Sequence, residues 1–288
     1  MLTSARAIAD AISDQPGLPW SDDRVRAQSE HYYPGTWRRH WPDTLPVPPS
    51  LANVEPGDRA RATVTRTDIF NRAESVTTEA DALDLYVLMC GWGAGWQGLT
   101  GYRSRRPLTS PDVAAALLRS YREIREGGDP VAAYRNLHTG QNKIKFFGPA
   151  FFTKWLYFAG YDSPHVGEVR PLILDARVAR TLGWATADWR SADYARYLDL
   201  ANEAASLLST TPHVIEHALY ALNGGGLSVI DEPESATLVL QDVPTGVVET
   251  LTQQADDQGL RLEELVLQLL AQGAGVALDE TGPSKTPS

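Results

Sequence analysis

Residues 143–184, KIKFFGPAFFTKWLYFAGYDSPHVGEVRPLILDARVARTLGW, contain two helix starts separated by a Gly/Pro-rich loop, and they constrain the chain more than any other stretch. The first helix is entered through Gly148-Pro149. Proline is tolerated in a first helical turn because its missing N–H has no partner to lose there. The second helix opens at Asp175, a residue type that caps a helix by accepting from its first free backbone N–H groups. Between them, FFTKWLYF sets Lys154 among Phe151, Phe152, Trp155 and Leu156.

From Arg135 to Lys154 the chain carries Arg135, His138, Lys143, Lys145 and Lys154 and no acid. Such a run suits contact with a phosphate backbone, and backbone N–H groups at a helix start suit an anion. Elsewhere before residue 227 the punctuation is that of helices. Leu2, Ala5, Ile8, Ala9 and Ile12 have helical spacing up to Pro16-Gly17. Further helices are expected over 81–90, from Ser110-Pro111 to about Arg125, from Asp129-Pro130 through Leu137, over 191–208 with Tyr194, Tyr197, Leu198, Ala201, Ala204 and Ala205 inward, and over 214–222. No run alternates as strands do, so this part is expected to be all-α.

Two aromatic segments carry two readings each. HYYPGTWRRHWP interleaves Trp and Tyr with Arg38, Arg39 and His40. It reads as a base-stacking loop or, more economically, as an irregular segment whose tryptophans pack on the domain. GWGAGWQG, placed at the end of the 81–90 helix, is a place of close approach, because glycine lacks a Cβ. It has no strand before it, which rules out a dinucleotide-binding loop. Tight helix packing and a ligand-facing wall stand side by side.

The residues quoted above resemble the helix-hairpin-helix DNA glycosylases, in particular the 8-oxoguanine type, over roughly residues 84–223. GPAFFTK matches the hairpin turn and its lysine, and ILDARVAR matches the segment opened by an aspartate. The turn departs from the family's usual Leu-Pro-Gly-Val-Gly form: Ala150 and Phe152 stand where glycines are usual. The resemblance implies a mainly α fold with Lys154 as nucleophile and Asp175 as the partner carboxylate. It implies DNA contacts from Lys143, Lys145, Gly148 and Arg177, and a base pocket walled by Trp92 or Trp96. No cofactor and no metal are expected; the histidines lack metal-site spacing, and a single cysteine, Cys90, cannot hold a four-cysteine cluster.

The net charge of −10 is concentrated at the end of the chain. From residue 228 onward eleven acids face two bases, a balance of −9 that leaves −1 for residues 1–227, so DNA binding is permitted there. No apolar run reaches membrane-spanning length and no signal-peptide core is evident, so a cytoplasmic protein without membrane contact is expected. The expected organisation is an N-terminal helix and irregular Pro/Trp-rich segment over 1–80, a helical glycosylase-like domain over 81–223 and a linker over 224–235. A strand-helix-helix module over 236–273 and a disordered tail over 274–288 follow. The module, with helices over 245–258 and 262–272, resembles the ribbon-helix-helix fold, which implies a homodimer because one copy cannot bury its own core.

Excising a base breaks a C1′–N bond through an oxocarbenium-like transition state that a carboxylate can stabilise. An amine can attack the same carbon if it is neutral, and apolar burial around Lys154 would favour that form. Each residue also has a bland role, a snorkelling lysine and a helix cap. The expectation is a DNA glycosylase acting on an oxidised or modified base, with lyase activity through Lys154, in repair or in anti-phage defence. Against it stand a DNA-binding protein without chemistry and a regulator built on the C-terminal module.

Overall fold

A computed structural model describes residues 2–94, 98–222 and 245–258, with isolated helical positions between 265 and 269. Contacts divide the chain into two units, Met1–Leu227 and Ser228–Ser288. In the second, α14 (Thr245–Gln258) occupies the range expected for its first helix, whereas the expected strand lies outside the described residues.

The first unit is mainly α. Its elements are α1 (Ala5–Ser13), α2 (Asp22–Arg26), β1 (Ser29–Tyr32), α3 (Pro34–Arg39), α4 (Pro49–Ala52), β2 (Ala62–Thr65), α5 (Arg66–Ala73) and α6 (Glu79–Ala94). There follow α7 (Gly98–Arg105), a 3-10 turn (Arg106–Thr109), α8 (Val113–Gly127), α9 (Pro130–His138), α10 (Pro149–Gly160), α11 (Ala176–Leu182), α12 (Ser191–Leu207) and α13 (Pro212–Leu222). Helix α10 is the hub. Every residue from Phe152 to Gly160 is buried, as a helix apolar nearly all round requires. It packs against α5, α6, α8 and α9. Full burial of a Trp, Leu or Phe side chain is worth about 1.5–3 kcal/mol relative to exposure, so Trp155, Leu156 and Phe158 anchor the unit here.

Helix starts follow local chemistry. The Ser4, Asp129 and Asp175 side chains cap α1, α9 and α11, and Thr65 with Asp68 forms a capping box at α5. Helix α8 starts at Val113, later than Ser110-Pro111 suggests. Ser110 is extended, as a residue before proline prefers, and Asp112 has a φ of 55°, so helical geometry begins only after it.

Two sequence expectations are corrected and one choice between readings is made. The unit is not purely helical: β1 pairs antiparallel with β2, Ser29 opposite Thr65 and Tyr32 opposite Ala62. Each strand has four residues and buries a single side chain, Tyr32 or Val64, so neither shows an alternating pattern. Of the two readings of HYYPGTWRRHWP, the structure supports packing on the domain: Tyr32, Trp37 and Trp41 are in the core. Helix α6 does not stop at Cys90 but runs through Gly91 and Gly93 to Ala94. A Cβ on Gly91 would lie 2.9 Å from the Tyr32 ring, so the glycine is what lets β1 lie against α6.

Candidate active site

Among the described residues, the segment before Asp175 pairs with neither strand, and several of its backbone groups are satisfied by side chains instead. The Tyr194 hydroxyl, from α12, donates to the Leu172 carbonyl at 2.9 Å and accepts from the Leu172 N–H at 3.1 Å. The Tyr197 hydroxyl donates to the Ile173 carbonyl at 2.9 Å. Thr153, inside α10, accepts from the Leu174 N–H at 3.1 Å through its hydroxyl. Leu174 precedes Asp175 and Thr153 precedes Lys154, so this bond fixes the two following side chains side by side.

Lys154 Nζ lies 3.3 Å from Asp175 Oδ2 and 3.2 Å from the Ala150 carbonyl, to which it donates. The Asp175 carboxylate is divided between two duties. Its Oδ1 accepts from the Arg177 and Val178 N–H groups at 3.0 and 3.2 Å, capping α11, and Oδ2 faces the amine. Burial alone would push the Asp175 carboxyl up, but the Lys154 charge and the capping N–H groups outweigh it, holding the carboxyl below its ordinary range. Phe152, Trp155 and Leu156 are buried along the helix beside Lys154, and Nζ itself meets a carbonyl and a carboxylate.

Gly93 of α6 completes the environment of Lys154. A Cβ there would lie 2.8 Å from Lys154 Cδ and 3.0 Å from Cε, so the lysine stem occupies the space a side chain would take. Trp92, the preceding residue, does not offer a free stacking face. Its ring is buried, with the Arg66 guanidinium 4.7 Å from one centroid and Phe158 edge-on at 5.3 Å, and its Nε1 donates to the Gln28 carbonyl. Trp92 therefore supports α6 rather than walling a pocket; Trp96 lies outside the described residues. Cys90 is no rival nucleophile, since burial pushes its thiol up to about 12.

The residues expected to touch DNA separate into two groups. Lys143, Lys145 and Gly148 are exposed in the turn between α9 and α10. A groove of about 390 Å³ runs past them, lined also by His138, Phe147 and Phe152. Arg177 is half-buried on α11, with its guanidinium 4.9 Å from the Tyr220 ring centroid.

Sequence reasoning missed Thr153, Gly93 and a buried polar chain. In that chain Arg66 donates to Glu216 at 2.8 Å, to the Tyr157 hydroxyl at 3.0 Å and to Gln28 at 3.0 Å. Tyr157 meets His213 at 3.0 Å, and His213 meets Asp22 at 2.8 Å. A threonine within an apolar helix and a glycine pair within another were the only visible signals. Among the described residues no helix is long and apolar enough to cross a membrane.

A family model described as "Putative 8-oxoguanine DNA glycosylase OGG-like protein" matches residues 23–220. The match takes in the sheet and α2–α5, a region outside the stretch that carries the sequence resemblance. No curated protein and no solved structure matches the chain.

Proposed function

We propose that the chain, which belongs to this OGG-like family, excises an oxidised or otherwise modified base from DNA with Lys154 and Asp175 as its catalytic pair. The observation that carries the reading is the 3.3 Å approach of Lys154 Nζ to Asp175 Oδ2 at the meeting of a hairpin helix and a capped helix. The arrangement divides the labour. Oδ1 is tied to the helix, so Oδ2 keeps a fixed position and a negative charge for the cationic C1′ that forms as the base departs.

The amine lies beside the same oxygen. After losing a proton, Nζ attacks C1′; the Nζ–C1′ bond forms as the C1′–N bond breaks, and the base leaves with the electron pair and takes up a proton. Opening of the sugar ring then converts the adduct to an imine, from which strand cleavage by elimination can follow. DNA is the partner, and the exposed Lys143 and Lys145 beside the α10 start supply phosphate contacts.

The test is excision from one set of duplex oligonucleotides bearing oxidised, deaminated or glucosylated bases, developed with alkali. Release of at least one base by the wild type, lost in Lys154→Ala and Asp175→Asn, is the expected result. Release from an oxidised purine places the protein in repair; release only from a glucosylated base places it in defence. No release from any of them contradicts the reading.

A further inference from the structure

Two basic, acid-free segments far apart in the sequence meet on one surface. Residues 98–111 carry Arg103, Arg105 and Arg106 without an acid, and residues 135–154 form the second segment. The Arg106 guanidinium lies 3.6 Å from the centroid of the Phe146 ring, and Lys145 Nζ lies 4.9 Å from the same centroid. A second tie joins the segments: Ser110 Oγ donates to the Lys145 carbonyl at 3.3 Å.

Phe146 is unusual in two respects. It has a φ of 68°, a backbone state that bulky side chains rarely adopt, and it is 40% exposed. The strained backbone therefore does not serve to bury the ring. It presents the ring at the tip of the turn, where its face receives a guanidinium. Strain kept at an exposed aromatic points to use outside the fold. Among the described residues, neither Arg106 nor Lys143 nor Lys145 forms an ion pair with a carboxylate.

We propose that Arg106 and Phe146 extend the DNA-contacting surface of the hairpin, Arg106 neutralising a backbone phosphate while the Phe146 ring holds its guanidinium flat. This rests on the DNA-directed reading above and adds to it a contact from a separate part of the chain. Stacking occupies the face of the guanidinium and leaves its N–H edge open, the geometry in which arginine binds phosphate through two parallel bonds. The surface is also in reach of the catalytic pair. Lys154 lies five residues into α10 from its first residue, about 7.5 Å along the helix axis at 1.5 Å per residue. That equals about two nucleotides of one strand at 3.4 Å each.

The test is equilibrium binding of the full chain to a lesion-free fluorescent duplex across a range of salt concentrations. Loss of one phosphate contact makes the slope of log K against log salt shallower by about 0.9. Arg106→Ala is expected to weaken binding and give that change of slope. Phe146→Ala is expected to weaken binding with a smaller change, and Arg106→Lys to keep the slope while losing affinity. Arg6→Ala, which removes a charge from the exposed face of α1, controls for net charge, and thermal melts of each variant control for folding. A wild type that binds while Arg106→Ala matches it, or matches Arg6→Ala, overturns the proposal and leaves the catalytic reading standing. A wild type that does not bind duplex DNA also overturns the proposal, while base release from the lesion set decides the catalytic reading separately.

Discussion

Two ion pairs in the first unit use the same charges to different ends. Arg66 and Glu216 meet at 2.8 Å with 2% of each side chain exposed, whereas Lys154 and Asp175 meet at 3.3 Å with 11% and 18% exposed. Arg66 is held by Glu216, Tyr157 and Gln28, and lies over Trp92. Burial raises the Glu216 carboxyl above its ordinary range despite Arg66, while Asp175 is held below its own. The first pair is closed on itself and joins α5 to α13. The second is tied only to backbone, Nζ to the Ala150 carbonyl and Oδ1 to the α11 N–H groups, and keeps part of each side chain exposed. What else a pair touches, more than the charges it contains, decides how tightly the fold encloses it.

Breaking the closed pair should have the largest effect, and it should be an effect on stability. Truncating one partner of a buried ion pair leaves an uncompensated charge and costs about 3–5 kcal/mol. Glu216→Ala is expected to lower the urea midpoint accordingly; a midpoint equal to the wild type would mean that Arg66 finds another partner. Asp175→Asn should do the reverse. Asparagine still caps α11, so the fold is kept, while excision falls at least about a hundredfold for loss of a preorganised charge. Near-normal single-turnover excision by the folded variant would remove Asp175 from the chemistry.

Gly93→Ala separates stability from activity at a single position. Alanine improves helix propensity by about 0.5–1 kcal/mol, yet its Cβ would contact the Lys154 stem. Excision is expected to fall about ten- to hundredfold, as for a displaced reactive group, with no loss of melting temperature. Full activity would show that Lys154 tolerates displacement.

The last effect is absent at neutral pH and grows only in acid. Burial, with the nearby Arg66 charge adding to it, lowers His213 to about 4 and His217 to about 3. An unfolded histidine titrates near about 6.5. Below that pH the unfolded chain binds protons that the native state refuses, so stability is greatest above about 6.5 and falls as pH drops towards 3–4. Each histidine contributes a slope of up to about 1.4 kcal/mol per pH unit in that window. Neither ring nitrogen of His217 has a partner among the described residues, and its ring stacks on Trp20 at 4.0 Å. His217→Phe keeps the stack and should flatten the slope without loss at neutral pH. Urea titrations at several pH values check this, and an unchanged slope would assign the acid sensitivity elsewhere.

The parts of this design that could be read in the sequence are those with local causes. Gly148-Pro149 and Asp175 mark the starts of α10 and α11, and the inward stripe of α12 follows its period. Lys154 and Asp175 stood out through a family resemblance, because twenty-one positions of sequence separation leave no local sign of their contact. The same stripe hid its second purpose, since periodicity gives Tyr194 and Tyr197 a direction but not the backbone carbonyls their hydroxyls meet. Arg66 and Glu216 are 150 positions apart and each looks like an ordinary surface charge. The short β pair failed for the same reason: its pairing is non-local and buries one side chain per strand. Gly91 and Gly93 suggested the end of a helix, and only tertiary contact with Tyr32 and Lys154 explains a helix that continues through them.

The most direct measurement is borohydride trapping on a cleavable duplex. If Lys154 Nζ attacks C1′, reduction fixes the transient imine as a covalent protein–DNA adduct. The wild type is expected to give this adduct. Lys154→Ala and Lys154→Arg should give none, because a guanidinium stays protonated and is a poor nucleophile. Lys143→Ala and Lys145→Ala should still form it, with weaker binding and a shallower salt dependence. An adduct that persists in Lys154→Ala would contradict Lys154 as the nucleophile; excision without any adduct would leave water as the nucleophile and Asp175 as the principal catalytic group.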